Sequence, residues 1–454
     1  MLPTAALAEL QRVFAADALS TDPAECLVYG YDNSRRQATP DAVVFPTAHE
    51  QLVELVRIGR VHRLPLVARG RGTNTTGASV PTAGGIVASF ERMNRVLRID
   101  ADDRVAVVEP GVLNGDLQAA LAPHRLFWAP DPTSAPFCSV GGNIACNAGG
   151  PRAVKYGATR DNVLALRVVA GNGMAFRCGT PTTKGSTGYD FVRLLVGSEG
   201  TLAFVTEATL KLAPLASAKR TLRATYVDVG AAAKAVARIM AQPVAPCALE
   251  FLDDECLRLA RGHGGDAIPL AGAMLVIEVD GEADTLPAAV DAVARAARGE
   301  GLEDLAVAEG EAEVAALWAA RKALSPALRT LSPNKINEDV VVPVSRVPEL
   351  VAATRAIAAK HALPIVCFGH AGNGNLHVNL LPRDEAEQAR AARALDDLFD
   401  AVIRLDGTLS GEHGIGLAKR EFMPRALDAH ALALMRAVKA QFDPDGILNP
   451  GKLL

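Results

Sequence analysis

The sequence is poor in aromatic residues and has no excess of either charge. Aromatic side chains make up 4% of the 454 residues, too few for the stacking platforms that bind single-stranded nucleic acid. The formal net charge of −4 provides no basic face for a phosphate backbone. These two shortages argue against a nucleic-acid-binding protein.

Paired cysteines and long hydrophobic runs are also missing. The 7 cysteines are scattered, odd in number and without a Cys-x-x-Cys pair, a pattern typical of reduced thiols and not of zinc ribbons or iron–sulfur clusters. No apolar run reaches the ~18 residues that a membrane-spanning helix requires. No Lys or Arg precedes Arg12, as a secretory signal would need. We therefore expect a cytoplasmic protein.

Length and hydrophobic patterning predict more than one domain. A single core rarely exceeds about 250–300 residues, and this chain is longer. Up to about Pro214, short extended segments alternate with helical stretches, and after it Ala-rich amphipathic helices alternate with short strands. We assign residues 1–214 to a first domain, 215–405 to a second domain with helices on an antiparallel sheet, and 406–454 to a C-terminal segment.

Three glycine-rich loops lie in the first domain. The first loop is Arg69–Asn74, the second lies within residues 130–150, and the third is Val196–Thr201. Glycine lets backbone N–H groups approach a ligand closely, and consecutive N–H groups form a concavity suited to phosphate oxygens. Neither Gly-x-Gly-x-x-Gly nor a P-loop sequence occurs. Three such loops in one domain indicate an extended ligand, longer than one nucleotide phosphate.

Two histidines frame a glycine-rich turn in the second domain. Residues 369–377 read Gly-His-Ala-Gly-Asn-Gly-Asn-Leu-His between two predicted strands, which predicts a hairpin with His370 and His377 opposite one another across its mouth. Glu412, in the motif Ser-Gly-Glu-His-Gly-Ile-Gly, adds a carboxylate. Two imidazoles and a carboxylate suit Zn²⁺ or another divalent transition metal.

Two cations near this motif could bind an acidic substrate. The predicted helix Glu311–Leu328 carries Arg321 and Ser325 at i and i+4 on one face, and Lys335 follows it. Arginine offers a bidentate fork for a carboxylate, whereas lysine offers a point charge. Asn379, just past His377 on the same strand face, could add a donor. From the residues alone, a surface position for either cation stays open.

Together these motifs resemble the flavoprotein family of vanillyl-alcohol oxidase and p-cresol methylhydroxylase, in the branch of D-lactate, glycolate and D-2-hydroxyglutarate dehydrogenases. Besides the loops and histidines, residues 84–94, residues 152–157 and the sequence Asn449–Lys452 carry the resemblance. It implies an α+β protein. A two-part FAD-binding domain of the p-cresol methylhydroxylase type would be joined to an antiparallel-sheet cap domain for the substrate, and a C-terminal helical segment would return to the flavin.

The resemblance implies a role for each loop in holding FAD. The first loop would wrap the pyrophosphate, the second would line the ribityl and flavin path, the third would approach the adenosine half, and Asn449 the flavin ring. No His or Cys occurs between 69 and 80, so we expect non-covalent FAD, with Cys146 as the remaining candidate tether. The implied FAD-binding residues are Arg69, Gly70, Arg71, Gly72, Thr73, Asn74, Pro130, Asp131, Ser139, Gly141, Gly142, Asn143, Asn147, Gly149, Glu199, Gly200, Val205 and Asn449.

The same resemblance implies the metal, catalytic and substrate-binding residues. His413 would be the catalytic base. Asn373 stands where the family usually has an acid, which removes a negative charge near the metal without removing a ligand. The implied ligands of Zn²⁺ or Mn²⁺ are His370, His377 and Glu412, and the implied substrate-binding residues are Arg321, Ser325, Lys335 and Asn379.

The implied reaction is oxidation of a D-2-hydroxy acid to the 2-oxo acid, with hydride passing to the flavin. Electrons would leave to an external acceptor, namely an electron-transfer flavoprotein, a quinone or a cytochrome. We expect D-2-hydroxyglutarate or a related dicarboxylate to be favoured and D-lactate next, because a second carboxylate would pair with Lys335. An oxidase that uses O₂ and a flavoprotein subunit of a glycolate or lactate oxidase complex remain alternatives. The oligomeric state, a homodimer included, is open.

Overall fold

The computed structural model describes residues 2–264 and 268–454. In chain order the helices and strands are α1 (Thr4–Val13), β1 (Leu19–Ser20), α2 (Pro23–Val28), β2 (Ala42–Val44), α3 (His49–His62), β3 (Leu66–Arg69), β4 (Ile86–Ser89), β5 (Val96–Asp100), β6 (Val105–Val108), α4 (Asn114–Leu121), β7 (Leu126–Phe127), α5 (Val140–Cys146), α6 (Ala153–Tyr156), β8 (Val163–Ala170), β9 (Ala175–Gly179), α7 (Phe191–Leu195), β10 (Ala203–Lys211), β11 (Ala213–Pro214), β12 (Ala218–Tyr226), α8 (Val229–Ala241), β13 (Ala248–Asp253), α9 (Asp254–Gly264), β14 (Ala273–Gly281), α10 (Leu286–Ala297), β15 (Leu302–Val307), α11 (Gly310–Leu331), β16 (Ile336–Val341), α12 (Val347–His361), β17 (Ile365–Gly369), β18 (Asn375–Leu380), α13 (Glu385–Arg404), α14 (Met423–Ala426) and α15 (Ala429–Phe442).

The chain divides into two compact units. Unit 1 comprises Met1–Gly150, Gly157–Leu215 and Glu412–Leu454, and unit 2 comprises Pro151–Tyr156 and Ala216–Gly411. The two segments of unit 2 therefore interrupt the sequence of unit 1 at two places. Across residues 2–264 and 268–454, no helix has the length and apolar character needed to cross a membrane.

A small sheet in unit 1 positions the first glycine-rich loop. Its strand order is β1-β2-β4-β3, and both β2 and β3 run parallel to β4. Helix α3 connects β2 to β3 and buries Leu52, Leu55 and Ile58, which recur every three residues and so lie on one face. The first loop begins where β3 ends, at the carboxyl edge of parallel strands, where ligands of such sheets usually bind.

A second sheet in unit 1 is antiparallel, with the order β5-β6-β10-β8-β9. Its core includes Val108, Leu166, Val168 and Leu210, all buried. Helix α5 carries Gly141, Gly142 and Asn143 of the second loop, and its Val140 and Ile144 belong to the same core. It is capped by Ser139, whose Oγ accepts a hydrogen bond from the Gly142 N–H at 3.2 Å.

The segment after α15 returns to the small sheet. Leu66 on β3 donates its N–H to the carbonyl of Ile447 and accepts from the N–H of Asn449, each at 2.8 Å. Leu66 and Leu448 thus form a parallel bridge on the side of β3 away from β4. The buried Asp443 carboxylate pairs with Lys439. It also fixes the turn between Asp443 and this bridge, because it accepts from the N–H groups of Ile447 and Leu448 at 3.1 and 2.8 Å.

Unit 2 contains a seven-stranded antiparallel sheet with the order β15-β12-β14-β13-β17-β18-β16. Strand β13 is central, and helices α9 and α11 contribute Leu257 and Leu324 to the core that covers it. Helices on an antiparallel sheet were expected for this region. Strand β13 and helix α13 were not predicted, although β13 forms the middle of this sheet.

Candidate active site

The first and second glycine-rich loops meet within unit 1. A Cβ atom added at Gly70 would collide with Oγ of Ser139, and one added at Gly141 would lie 2.6 Å from Cβ of Pro110. A side chain at Gly70 would push the first and second loops apart, and one at Gly141 would push the second loop away from the segment that contains Pro110. Glycine is therefore required at both positions because backbone packs against the neighbouring loop.

Asn74 ties the first loop to two other segments of unit 1. Its Oδ1 accepts from the N–H groups of Thr76 and Ala78 at 2.9 and 3.1 Å, which closes the turn after the loop. Its Nδ2 lies 3.3 Å from Sγ of Cys146 at the end of α5 and 3.0 Å from the backbone carbonyl of His413. The predicted base and the first loop are thus joined through one amide.

Glu199 connects the third loop to the same region. Its N–H donates to the carbonyl of Ala145, and its carboxylate accepts from the N–H groups of Ile415 and Gly416 at 2.6 and 2.8 Å. Burial raises the pKa of Glu199 to about 7, although these two N–H groups act in the opposite direction. Asn449 donates from Nδ2 to the Glu199 carbonyl at 2.7 Å and to that of Ala78 at 2.8 Å.

The remaining predicted FAD residues of unit 1 differ in their environments. Arg69 is buried with Nη1 2.6 Å from the carbonyl of Tyr31, and burial lowers its guanidinium pKa, whereas Arg71 is exposed. Gly150 has a φ of +134° and lies against Asp131, where a Cβ would be 2.5 Å from the Asp131 carbonyl oxygen. Secondary structure places two others. Asn147 ends α5 with a φ of +53°, and Val205 on β10 pairs with Val168 on β8.

The interior of this region fits a bound FAD. Among residues 2–264 and 268–454, the Nδ2 atom of Asn143 is a buried donor with no hydrogen-bond partner. A buried amide donor without an acceptor costs free energy, so a ligand oxygen there would remove that cost. Desolvation, with a contribution from the charge of Glu199, raises the pKa of Cys146 to about 12, so its thiol stays protonated near neutral pH. A protonated thiol is a poor nucleophile, which favours non-covalent flavin.

In unit 2 the structure brings His370 and His377 together. Their ring centroids lie 5.3 Å apart with an interplanar angle of 83°, and both side chains are buried. The two histidines were expected to lie directly opposite one another across the hairpin, and this strand register is wrong. The partner of His377 is Phe368, because Gly369 still belongs to β17 and residues 371–373 form a 3₁₀ turn.

Sequence reasoning missed Glu250, a fully buried carboxylate on β13. Its Oε1 lies 2.5 Å from Nδ1 of His370, and its Oε2 accepts from Nε of Arg321 at 2.6 Å. Burial alone would raise the pKa of Glu250, but His370 and Arg321 outweigh it and lower the pKa to about 2. The sequence signal was a single acid inside the apolar strand Ala-Leu-Glu-Phe-Leu.

The donor set of unit 2 fits a transition metal. Since Glu250 occupies Nδ1 of His370, the nitrogen available as a ligand would be Nε2, the arrangement usual for metal-bound histidine. Asp339, which pairs with His377 across two strands, accepts from Ser410 Oγ at 3.1 Å and from the Gly411 N–H at 2.9 Å. Gly411 is the last residue of unit 2, and Glu412 follows it in the chain.

Three of the four predicted substrate-binding residues form one hydrogen-bonded group in unit 2. Nζ of Lys335 lies 3.0 Å from Oγ of Ser325 and 3.4 Å from Oδ1 of Asn379. Asn379 is fully buried, and its Nδ2 donates to the carbonyl of His377 at 3.1 Å. Arg321 lies one helical turn before Ser325, stacked on the ring of Phe368 at 4.5 Å from its centroid.

His413, the predicted base, lies in the C-terminal segment of unit 1. Its Nε2 lies 3.8 Å from Oε1 of Glu412, and its side chain is 18% exposed, enough to reach a small substrate. A carboxylate beside an imidazole can orient the ring and stabilise its charged form after it accepts a proton.

Comparison with known families assigns both halves of the chain. Residues 40–179 match the family described as "FAD binding domain", and residues 215–453 match "FAD linked oxidases, C-terminal domain". The expectation that the chain binds FAD is thereby confirmed. Residues 1–39 precede the first match, which leaves α1 and α2 outside it.

Individual relatives extend over almost the whole chain. A glycolate oxidase subunit GlcD of Bacillus subtilis (strain 168) is 41% identical, over 94% of this chain and 92% of the relative. A D-2-hydroxyglutarate dehydrogenase of Xanthomonas citri pv. viticola is 35% identical, over 98% and 96%. The structure of p-cresol methylhydroxylase with substrate bound superposes with a TM-score of 0.80 at 15% identity, covering 99% and 96%. This likeness confirms the predicted fold.

Proposed function

The chain belongs to the family of FAD-linked oxidases, and we propose that it oxidises a D-2-hydroxy acid to the 2-oxo acid. The observation that carries the proposal is the hydrogen-bonded group of Lys335, Ser325 and Asn379. Asn379 lies on β18, the strand that also carries His377. Cationic and amide donors beside paired imidazoles suit a small carboxylate. The two relatives described above are named for glycolate and for D-2-hydroxyglutarate, both 2-hydroxy acids.

FAD would be held by the three loops of unit 1 and by Asn449. When bound, it supplies a two-electron acceptor for the hydride that leaves the substrate carbon. The chain's own contribution is to fix the loops to one another, through the contacts of Gly70 with Ser139, Asn74 with Cys146, and Glu199 with Asn449. Such a framework lets backbone N–H groups meet a large ligand without rearranging.

A divalent metal, Zn²⁺ or Mn²⁺, would be held by His370, His377 and Glu412. When bound, such an ion lowers the pKa of a coordinated hydroxyl as it does that of water. His413 would accept the hydroxyl proton at Nε2 or Nδ1, which requires a neutral imidazole. Arg321 and Lys335 would bind carboxylate oxygens, with Ser325 and Asn379 holding the Lys335 ammonium in place.

The substrate size follows from Lys335. Two of its hydrogen-bond partners, Ser325 and Asn379, are neutral acceptors that help to place the ammonium. A second substrate carboxylate would pair with this ammonium, which favours D-2-hydroxyglutarate or a related dicarboxylate over D-lactate.

A panel of D- and L-2-hydroxy acids with a dye acceptor tests the proposal. We expect turnover of the D-enantiomers, fastest with D-2-hydroxyglutarate, and none of the L-enantiomers. Absence of flavin reduction by every acid in the panel would contradict the proposed reaction. A wild-type preference for D-lactate would contradict only the substrate size.

A second candidate, the flavoprotein subunit of a larger oxidase complex, is favoured by the 41% identity to a protein named as such a subunit. In that case flavin reduction by substrate would be fast, and electron transfer to a quinone, a cytochrome or an electron-transfer flavoprotein would need added partner chains. Comparing flavin reduction with steady-state turnover of the isolated chain distinguishes the two. Rapid reoxidation by O₂ would instead indicate an oxidase.

A further inference from the structure

Glu250 contacts two side chains to which the proposed function gives different tasks. One carboxylate oxygen lies 2.5 Å from the ring nitrogen Nδ1 of His370, a proposed metal ligand. The other accepts from Nε of Arg321, a proposed substrate-binding residue, at 2.6 Å. We infer that Glu250 is a positioning residue that orients the metal ligand and the substrate clamp together. This inference rests on the proposed function.

The sheet explains why Glu250 reaches His370. In the antiparallel pairing of β13 with β17, Phe251 is opposite Gly369 and Leu252 is opposite Phe368. Continued by one position, this register places Glu250 opposite His370, the first residue after β17. The contact is therefore fixed by strand pairing and not by a flexible loop.

The hydrogen bond from His370 selects one imidazole tautomer. With Nδ1 carrying the proton toward Oε1 of Glu250, the lone pair is on Nε2, where a metal would bind. The same bond restrains rotation of the ring about its Cβ–Cγ bond. Both effects prepare a ligand before any metal arrives.

The bond from Arg321 restrains the guanidinium in the same way. Nε is engaged by Glu250, one face of the guanidinium packs on Phe368, and the side chain is only 8% exposed. The donors on Nη1 and Nη2 are those suited to a bidentate carboxylate contact. A fixed guanidinium loses less conformational freedom when it binds a substrate.

The fully buried carboxylate of Glu250 joins these two tasks. Glu250 is 0% exposed, so it contacts neither bulk solvent nor a ligand directly, and its effect must pass through His370 and Arg321. A glutamine amide in its place would direct its NH₂ group at either His370 Nδ1 or Arg321 Nε, and both of these groups are donors in the present arrangement. Glu250→Gln should therefore disturb one contact while keeping side-chain size.

The test measures Zn²⁺ affinity and substrate affinity separately. Zn²⁺ is titrated against competing chelators in the flavin-loaded chain, and the KM for D-2-hydroxyglutarate is measured at saturating Zn²⁺. We expect Glu250→Gln to weaken Zn²⁺ binding about 10- to 100-fold, the usual effect of losing such a partner, and to raise KM with an unshifted flavin spectrum. Glu250→Asp, which keeps the charge on a shorter side chain, should recover part of both losses.

Glu278→Gln provides the matched control. Glu278 is a buried carboxylate on the adjacent strand β14, where it contacts Lys219 and Thr221. Its substitution removes a buried negative charge from the same sheet without touching His370 or Arg321. We expect unchanged Zn²⁺ affinity and KM. Losses equal to those of Glu250→Gln would show a general effect on the sheet and overturn the inference.

The outcomes separate this inference from the proposed function. If the unmodified chain binds Zn²⁺ and oxidises the acid, and Glu250→Gln does both equally well, the inference fails alone. If the unmodified chain binds no Zn²⁺, the metal part of the proposed function fails and the inference with it. Should neither Glu250 variant fold, nitrogen NMR of the ¹⁵N-histidine-labelled unmodified chain decides, because a His370 proton on Nε2 would overturn the inference.

Discussion

The ammonium of Lys335 lies within hydrogen-bonding distance of Ser325 Oγ, at 3.0 Å, across the turn that joins α11 to β16. The hydroxyl of Ser325 and the amide of Asn379 are two neutral groups that position this cation. In the proposed reaction the distal carboxylate of the substrate binds this cation.

Lys335→Ala should therefore act on dicarboxylates and spare monocarboxylates. Losing a charge-assisted contact costs about 1.5–3 kcal/mol, so kcat/KM for D-2-hydroxyglutarate should fall roughly ten- to a hundred-fold. D-Lactate, which lacks the distal carboxylate, should be nearly unaffected. The measurement is steady-state kinetics on both acids, with Lys322→Ala on the exposed side of α11 as control. Equal losses on the two substrates would show that Lys335 is structural.

Removal of the metal should stop turnover while the flavin stays bound. His370 and His377 lie in unit 2, whereas the loops expected to hold FAD lie in unit 1. We expect chelator treatment to abolish activity, and added Zn²⁺ or Mn²⁺ to restore it, without loss of the yellow colour. His377→Ala should lose metal by elemental analysis, and the exposed His430→Ala should not. Full activity of a metal-free preparation would refute the metal assignment.

FAD should be released when the protein is precipitated with acid. The first loop has no tethering residue, and the protonated Cys146 thiol is a weak nucleophile. Flavin absorbance is measured in the supernatant and in the pellet, and Cys146→Ser should give the same distribution as the unmodified chain. Flavin that remains with the polypeptide in the unmodified chain would contradict non-covalent binding.

Glu199 should make the stability of unit 1 depend on pH. Its pKa is raised from an ordinary 4.5 to about 7 in the folded state, so the folded chain holds a proton that the unfolded chain releases. The stabilisation is full below about pH 4.5 and is lost as pH rises through 7, in total about 3 kcal/mol. Thermal unfolding between pH 5.5 and 8 should show Tm falling in the unmodified chain.

Glu199→Gln tests this prediction, because an amide resembles the protonated acid and does not titrate. At pH 5.5 its Tm should be close to that of the unmodified chain, and at pH 8 it should be higher. A Tm difference that does not change with pH would show that the carboxylate acts through the backbone hydrogen bonds of Ile415 and Gly416 alone.

Local features could be predicted from the sequence where one segment determines them. Helix α4 and strand β6 follow the alternation of helical and extended segments predicted for residues 1–214, because hydrophobic periodicity is encoded within a few residues. The contact of Glu250 with His370 joins residues 120 positions apart, and that with Arg321 joins residues 71 apart. The first contact depends on β13 lying next to β17, and the second depends on α11 packing against β13. Neither arrangement leaves a local pattern in the sequence.

The return of Asn449 to β3 sets an order of events during synthesis. Asn449 binds the carbonyl of Ala78, 371 residues earlier, and Leu448 bridges to Leu66 on the outer side of β3. While a ribosome is still making unit 2, that side of β3 has no strand partner and can pair with another nascent chain. In the proposed mode of FAD binding Asn449 is one of the contacts, so the flavin would meet its complete set of contacts only after residue 449 has emerged, and cofactor capture would follow the synthesis of unit 2.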